Sequence, residues 1–191
     1  VLIENIYNVV DMTEDEMNTW AAEAKFLKAY YHFLLFTYYG PIPIVDENLP
    51  ISASDTEVRV KRRTVDESVA YIVETIDEAI VHLPARVLSS NDLGRIDQVI
   101  AKAIKSRVLT YAASPLFNGN TEMYSGFVNE EGEHFFNQSY DQNKWDLARD
   151  ASLDAISAAL ENGVSLYEFT STLQIMKMNM KKKSLFRHYM I

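Results

Sequence analysis

The most constraining feature of this sequence is a long apolar and aromatic stretch that ends abruptly at Gly40-Pro41-Ile42-Pro43. Thr13 precedes the stretch, with Glu16 three residues later, which is the pattern of an N-terminal capping box. Gly40 tolerates the left-handed conformation that ends a helix, and each proline favours an extended residue before it. The sequence therefore predicts one helix over residues 14–39, followed by a stiff extended exit.

Within this helix, apolar residues recur at alternating spacings of three and four, which predicts a buried face. They are Met17, Trp20, Ala24, Leu27, Tyr31, Leu34 and Tyr38. Because other apolar and aromatic side chains fill further faces of its second half, we expect the helix to be covered on several sides. The tyrosines from Tyr30 to Tyr39 are accordingly interpreted as core residues, and His32 as a core histidine with satisfied hydrogen bonds.

Three further amphipathic segments predict helices near residues 65–82, 98–113 and 144–162. Thr64 and Glu67 repeat the capping-box pattern, Asn143 can cap the last helix, and Gly163 can end it. The polar stretch at 52–63 is interpreted as a surface loop. No segment predicts a strand with confidence, and there is no strict internal repeat. We therefore predict one all-α domain over residues 1–191, with tetratricopeptide-like stacked helix pairs and long ordered loops.

Composition and motifs exclude several classes of function. The net charge of −9 argues against a nucleic-acid partner, whose phosphates require a basic face. The chain has no cysteine, so a disulfide framework, a thiolate metal site and a cysteine nucleophile are excluded. The four histidines share no ligand spacing, and residues 129–133 lack the ligand pattern of an EF-hand. We expect neither a metal ion nor an organic cofactor, and no known catalytic motif is present.

One region suggests a binding surface. Residues 117–145 combine seven aromatic side chains with five asparagines, and loops of this length without secondary structure are usually functional or disordered. Aromatic rings can cover the apolar face of a sugar while amides bridge its hydroxyls, although turn formation and packing would explain most of these residues equally well. The predicted stacking rings are Tyr124 and Phe127, the amide partners are Asn118 and Asn120, and the anchors of the loop are Phe117 and Trp145.

Four ordered motifs resemble the SusD/RagB family of bacterial outer-membrane lipoproteins. They are the helix ending at Tyr38 to Pro43, the helix start from Arg62 to Glu67, the Leu83-Pro84 stop and the Gly94-Arg95 pair before an alanine-rich helix. The resemblance covers residues 13–120 well and extends less closely to about residue 169. Since members of this family are longer and carry an N-terminal lipidated cysteine, we expect the chain to be an internal portion of a longer protein.

The resemblance implies a function that the composition and periodicity do not. Proteins of this family are non-catalytic and bind nutrients, chiefly glycans, at the outer surface of the outer membrane. These proteins deliver the bound nutrient to a SusC-like TonB-dependent transporter, on which their helical scaffold docks. A lipid anchor outside this chain would hold the protein at the membrane.

Three alternatives remain open from the sequence. The ligand could be a peptide, as in RagB-type uptake proteins. The chain could instead be an intracellular helical-repeat scaffold, which would need a polar concave groove. An α/α-barrel glycosidase would need two carboxylates about 5–10 Å apart in an aromatic cleft. The acidic residues available for that role are Glu122, Glu130, Glu131, Glu133 and Asp141.

Overall fold

The computed structural model describes residues 1–166, which fold into helices joined by turns and loops. The helices are α1 (Leu2–Asn5), α2 (Glu14–Tyr39), α3 (Asp55–Val58), α4 (Val65–Ile80), α5 (Gln98–Ala113), α6 (Thr121–Tyr124) and α7 (Gln142–Glu161), with 3-10 turns at Ile6–Asn8 and Ser90–Asp92. In this part of the chain, extended segments form three isolated β-bridges. The predicted all-α class is confirmed. Residues 167–191, predicted to belong to the same domain, lie outside the described residues.

The helix starts follow from local side-chain chemistry. At α2, the Thr13 amide donates to the Glu16 carboxylate at 2.9 Å, and the Glu16 amide donates to the Thr13 hydroxyl at 3.3 Å. The same reciprocal pair joins Thr64 and Glu67 at α4, so both predicted capping boxes are confirmed. The cap of α7 is Asp141, which accepts from the amide of Asn143. The prediction of Asn143 as this cap was therefore wrong by two residues.

The long helices pack in chain order: α2 on α4, α4 on α5, and α5 on α7. The core lies among α2, α4 and α5 and contains large side chains such as Phe36, Ile72 and Val108. The contact between α5 and α7 uses smaller groups. Ala148 and Ala158 are buried there, and the hydroxyls of Ser106 and Ser152 are 2.7 Å apart. This serial arrangement is the stacked helical scaffold that the sequence predicts.

The predicted buried face of α2 was wrong. The core-facing residues of α2 are Ala22, Phe26, Ala29, Phe33 and Phe36, whereas Trp20, Leu27, Tyr31 and Tyr38 are exposed. The two sets are offset by two residues, which rotates the buried face by about 200° around the helix. Both faces are apolar, so spacing alone does not choose between them. The face of Phe and Ala has no polar atom to satisfy, whereas buried Trp and Tyr need partners for their polar groups.

The extended exit after α2 is held against the scaffold. Ile42 is buried, and its carbonyl accepts from the Arg63 amide at 2.9 Å. His32 is buried on α2, where its Nδ1 donates to the Lys28 carbonyl at 2.8 Å and its Nε2 accepts from the Val45 amide at 3.4 Å. The interpretation of His32 as a satisfied core histidine is confirmed. The exit places residues 60–64 beside the loop that connects α5 to α7.

Candidate ligand-binding surface

The long loop between α5 and α7 is closed at its base by one buried amide. The Nδ2 of Asn118 donates to the Asp141 carbonyl at 2.9 Å, and its Oδ1 accepts from the Asp141 amide at 2.8 Å. Gly119 follows with a φ of +76°, and a Cβ there would lie 2.6 Å from the Tyr140 nitrogen. Only glycine fits this close approach of two chain segments. The two ends of the loop are therefore fixed to each other.

A stack of aromatic rings joins the loop to the helical core. Phe136 is buried, with the Phe117 ring parallel to it at 5.8 Å between centroids and the Tyr124 ring parallel to it at 3.9 Å. Phe117 also contacts Phe36 of α2, with their ring centroids 4.8 Å apart. Phe117 is thus an anchor of the loop, as predicted. Trp145, predicted as the second anchor, is 37% exposed in the first turn of α7 and is not part of the buried core.

The four predicted binding residues do not form one outward-facing group. Asn118 is buried and closes the loop base, and Asn120 caps α6 by accepting from the Met123 amide at 3.1 Å. Tyr124 is half-buried because one face of its ring lies on Phe136. Phe127 is 37% exposed and lies tilted against Phe135, with the centroids 5.0 Å apart. Phe127 is thus the one predicted ring with a substantial exposed area.

A tight acidic turn lies next to Phe127. The Asn129 side-chain oxygen accepts from the amides of Glu131 and Glu133 at 3.0 and 2.8 Å, which orders the turn. Lys61 pairs with Glu131 and, at 3.4 Å, with Glu130. The hydrogen bond that Lys61 donates to Glu131, together with the positive charge of Lys61, lowers the pKa of Glu131. The same contact raises the pKa of Lys61. The contact therefore favours the charged forms of both side chains.

Residues 1–166 contain no group of three or more histidine, aspartate or glutamate side chains placed to hold a metal ion. Over the same residues, no helix combines the length and the apolar character that a membrane-crossing helix requires.

The sequence did not predict that residues 60–64 would lie beside the turn at 129–135. The stretch was interpreted as a surface loop, yet its backbone is fixed by the bridge between Pro43 and Arg62 and by the bond from Arg63 to Ile42. The cluster of four basic residues from Arg59 to Arg63 was a usable signal, because its charge is opposite to that of the acidic turn beside it.

Comparison with known proteins relates this fold to a family. Residues 2–110 match the model of a SusD-like family described as starch-binding and associating with the outer membrane. The structure of BT4246 is 35% identical, with a TM-score of 0.76 over 84% of this chain and 28% of that one. A laminarin-binding SusD-like protein is 27% identical, with a TM-score of 0.52 over 58% of this chain and 23% of that one.

A SusD-like protein from Bacteroides fragilis is 25% identical, with a TM-score of 0.51 over 59% of this chain and 22% of that one. No curated protein sequence matches the chain. The chain thus spans about a quarter of the length of the structures it matches. The family model covers more than half of this chain, and BT4246 is 35% identical to it over 84% of its length. The chain belongs to the SusD-like family of starch-binding proteins that associate with the outer membrane.

Proposed function

We propose that this protein is a non-catalytic glycan-binding protein of the bacterial cell surface. It captures oligosaccharides or polysaccharides and passes them to a SusC-like TonB-dependent transporter in the outer membrane, to which a lipid anchor outside this chain attaches it. The observation that carries the proposal is membership of a starch-binding family, supported by similarity to a protein that binds laminarin.

Within this chain, the loop between α5 and α7 contributes to the glycan surface. Phe127 supplies an exposed ring against which a sugar can stack. Three other side chains support the loop. Tyr124 lies on Phe136, Asn118 closes the base of the loop and Asn120 caps α6. Aromatic contacts of this kind contribute about 0.5–1.5 kcal/mol each. Phe127 is therefore a contributor to affinity and not its sole source.

In the test, calorimetry measures the affinity of the full-length protein for soluble starch and for laminarin. Mass spectrometry then shows whether the glycan has been shortened during incubation. We expect binding without any shortened product. Release of shorter sugars would identify an enzyme instead, and retention of peptides without either glycan would favour peptide uptake. Copurification with the TonB-dependent transporter tests the proposed partner.

The loop is tested by Phe127→Ala in the same protein. We expect the affinity for the bound glycan to fall by about two- to tenfold, the range that one aromatic contact supplies. Met123→Ala is the matched control, because Met123 is exposed in the same loop but has no ring to stack. Equal affinities for the two variants would show that the loop serves only packing.

A further inference from the structure

We infer that the glycan surface includes a polar subsite, formed by the cleft between residues 60–64 and the turn at 129–135. This inference rests on the proposed function and assigns to it a site outside the predicted loop residues. The bound group is a neutral, polyhydroxylated sugar unit.

The cleft is large enough for a small ligand. Its main lobe has a volume of about 320 Å³ and an adjoining lobe about 300 Å³. Both lie within the range of roughly 300–1,000 Å³ that small-molecule sites occupy. The two lobes share Lys61, Arg62, Asn129, Glu131 and Phe135 in their walls. The two lobes therefore adjoin each other along these shared residues.

The walls of the cleft are held in place by backbone and ionic contacts. The amide of Arg63 donates to the Ile42 carbonyl at 2.9 Å, which fixes the basic wall to the exit of α2. The amide of Val65 donates to the Phe135 carbonyl at 2.9 Å, which fixes the opposite wall to the start of α4. The Lys61–Glu131 ion pair joins the two walls directly. Because both walls are already ordered, a ligand loses little of its binding energy to rearrangement.

The charges of the cleft favour a neutral ligand. In the main lobe the cations of Lys61, Arg62 and Arg63 are balanced by the anions of Glu67, Glu131 and Glu133. The adjoining lobe balances Lys61 and Arg62 against Glu130 and Glu131. A phosphate or an acidic peptide would meet carboxylates there, and a cationic ligand would meet guanidinium groups.

The hydrogen-bonding groups match a sugar. A hydroxyl group both donates and accepts, so a diol can use guanidinium donors and carboxylate acceptors on facing walls. Arg62 is exposed and lines both lobes, and within residues 1–166 its guanidinium has no hydrogen-bonded or ionic partner. The half-buried ring of Phe135 supplies an apolar surface in the same cleft, next to Phe127. The cleft and the exposed ring thus form one continuous surface for neighbouring sugar units.

Arg62→Ala in the full-length protein tests this assignment, with calorimetry against soluble starch and laminarin. We expect the affinity to fall about tenfold or more, the usual scale for a hydrogen bond from a charged group. Arg59→Ala is the matched control, because it removes the same charge three positions earlier in the chain, where the side chain lines neither lobe. A neutral ligand also predicts wild-type affinity that changes less than about twofold between roughly 50 and 500 mM NaCl.

Each outcome distinguishes the two proposals. If the wild-type protein binds neither glycan, the proposed function fails and this assignment fails with it. If it binds but both arginine variants bind equally, or if salt abolishes binding, only the cleft assignment is overturned. Amide hydrogen exchange of the wild-type protein decides the case in which Arg62→Ala fails to fold. Glycan should then slow exchange at residues 60–64 and 129–135, and unchanged exchange in both segments would overturn the assignment.

Discussion

At the scale of single residues, two neighbours on α2 show that burial determines how much a side chain contributes to stability. Phe26 is 3% exposed in the core, whereas Leu27, one position along and about 100° further around the helix, is 41% exposed. The sequence pattern selected Leu27 because its spacing to other apolar residues is regular. That regularity also holds for the true core residues two positions away. An all-round apolar helix therefore conceals which face is buried, and the absence of polar atoms is the better guide.

We predict that Phe26→Ala destabilises the chain by about 3–5 kcal/mol, the usual cost of removing a buried aromatic ring. Leu27→Ala should cost less than about 1 kcal/mol, because the removed methyl groups are already partly in water. Chemical denaturation of the two variants measures the difference in their free energies of unfolding. Equal losses for the two would contradict the buried face described above.

Asn118 illustrates a residue whose type predicts the wrong role. An asparagine in a loop between aromatic residues is compatible with sugar binding, but both polar ends of this amide are used inside the protein. We predict that Asn118→Ala destabilises the chain by about 1–3 kcal/mol, since it leaves backbone groups of Asp141 without partners. Thermal unfolding checks this loss. Asn143→Ala is the control, because Asn143 is exposed and its side chain forms no hydrogen bond within residues 1–166. A loss no larger than that of the control would show that the amide does not hold the loop.

At the scale of elements, the helix ends were the most predictable part of the fold. Thr13 with Glu16 and Thr64 with Glu67 form their caps within three residues of sequence, so no distant contact is needed to specify them. The four long helices accordingly begin and end within two residues of their predicted bounds. The short helices α1, α3 and α6 were not predicted, because a single turn has too few residues to show a period.

The capping boxes make stability depend on pH. Hydrogen bonds from the Thr64 amide and hydroxyl lower the pKa of Glu67 below its ordinary value of 4.5. A lowered folded pKa gives stability that is complete above that ordinary value and is lost as the pH falls through the folded pKa. We predict that Glu67→Gln reduces the loss of stability as the pH falls below about 4.5.

The measurement is the free energy of unfolding of the variant across that range. Gln can still accept the capping bonds, so the fold is retained. Glu74→Gln is the control, because it removes a carboxylate from the same helix without touching the cap. An acid profile of Glu67→Gln identical to the wild type would show that the cap does not contribute to it.

At the scale of the whole molecule, the all-α class and the serial packing of helices were predictable because each depends on local periodicity. The arrangement of the candidate binding surface was not predictable. It depends on pairing Lys61 with Glu131, seventy positions apart, and on the ring stack of Phe117, Phe136 and Tyr124. Neither contact has a local pattern that specifies it. The resemblance to a family indicated the class of ligand, but not which side chains face it.

The serial packing also predicts a gradient of stability along the chain. Within residues 1–166, α4 packs on both α2 and α5 and buries residues such as Ile72 and Ile76, whereas α7 packs on α5 mainly through alanines. Less buried apolar area leaves a segment easier to open locally. We predict that amides of α7 exchange with solvent faster than those of α4, measured by hydrogen exchange with mass spectrometry. Slower exchange in α7 would contradict this order.

The closure of the long loop by Asn118 has a consequence for how this protein can diversify. Because the base is tied independently of the tip, residues between them can be lengthened or replaced without moving α5 or α7. Doubling a closed loop adds only about 0.6 kcal/mol of entropic cost. Insertions at the exposed turn around Gly132 should therefore leave the helical frame in place, so this turn can vary in length over evolution, whereas Tyr124 is constrained because its ring lies on Phe136.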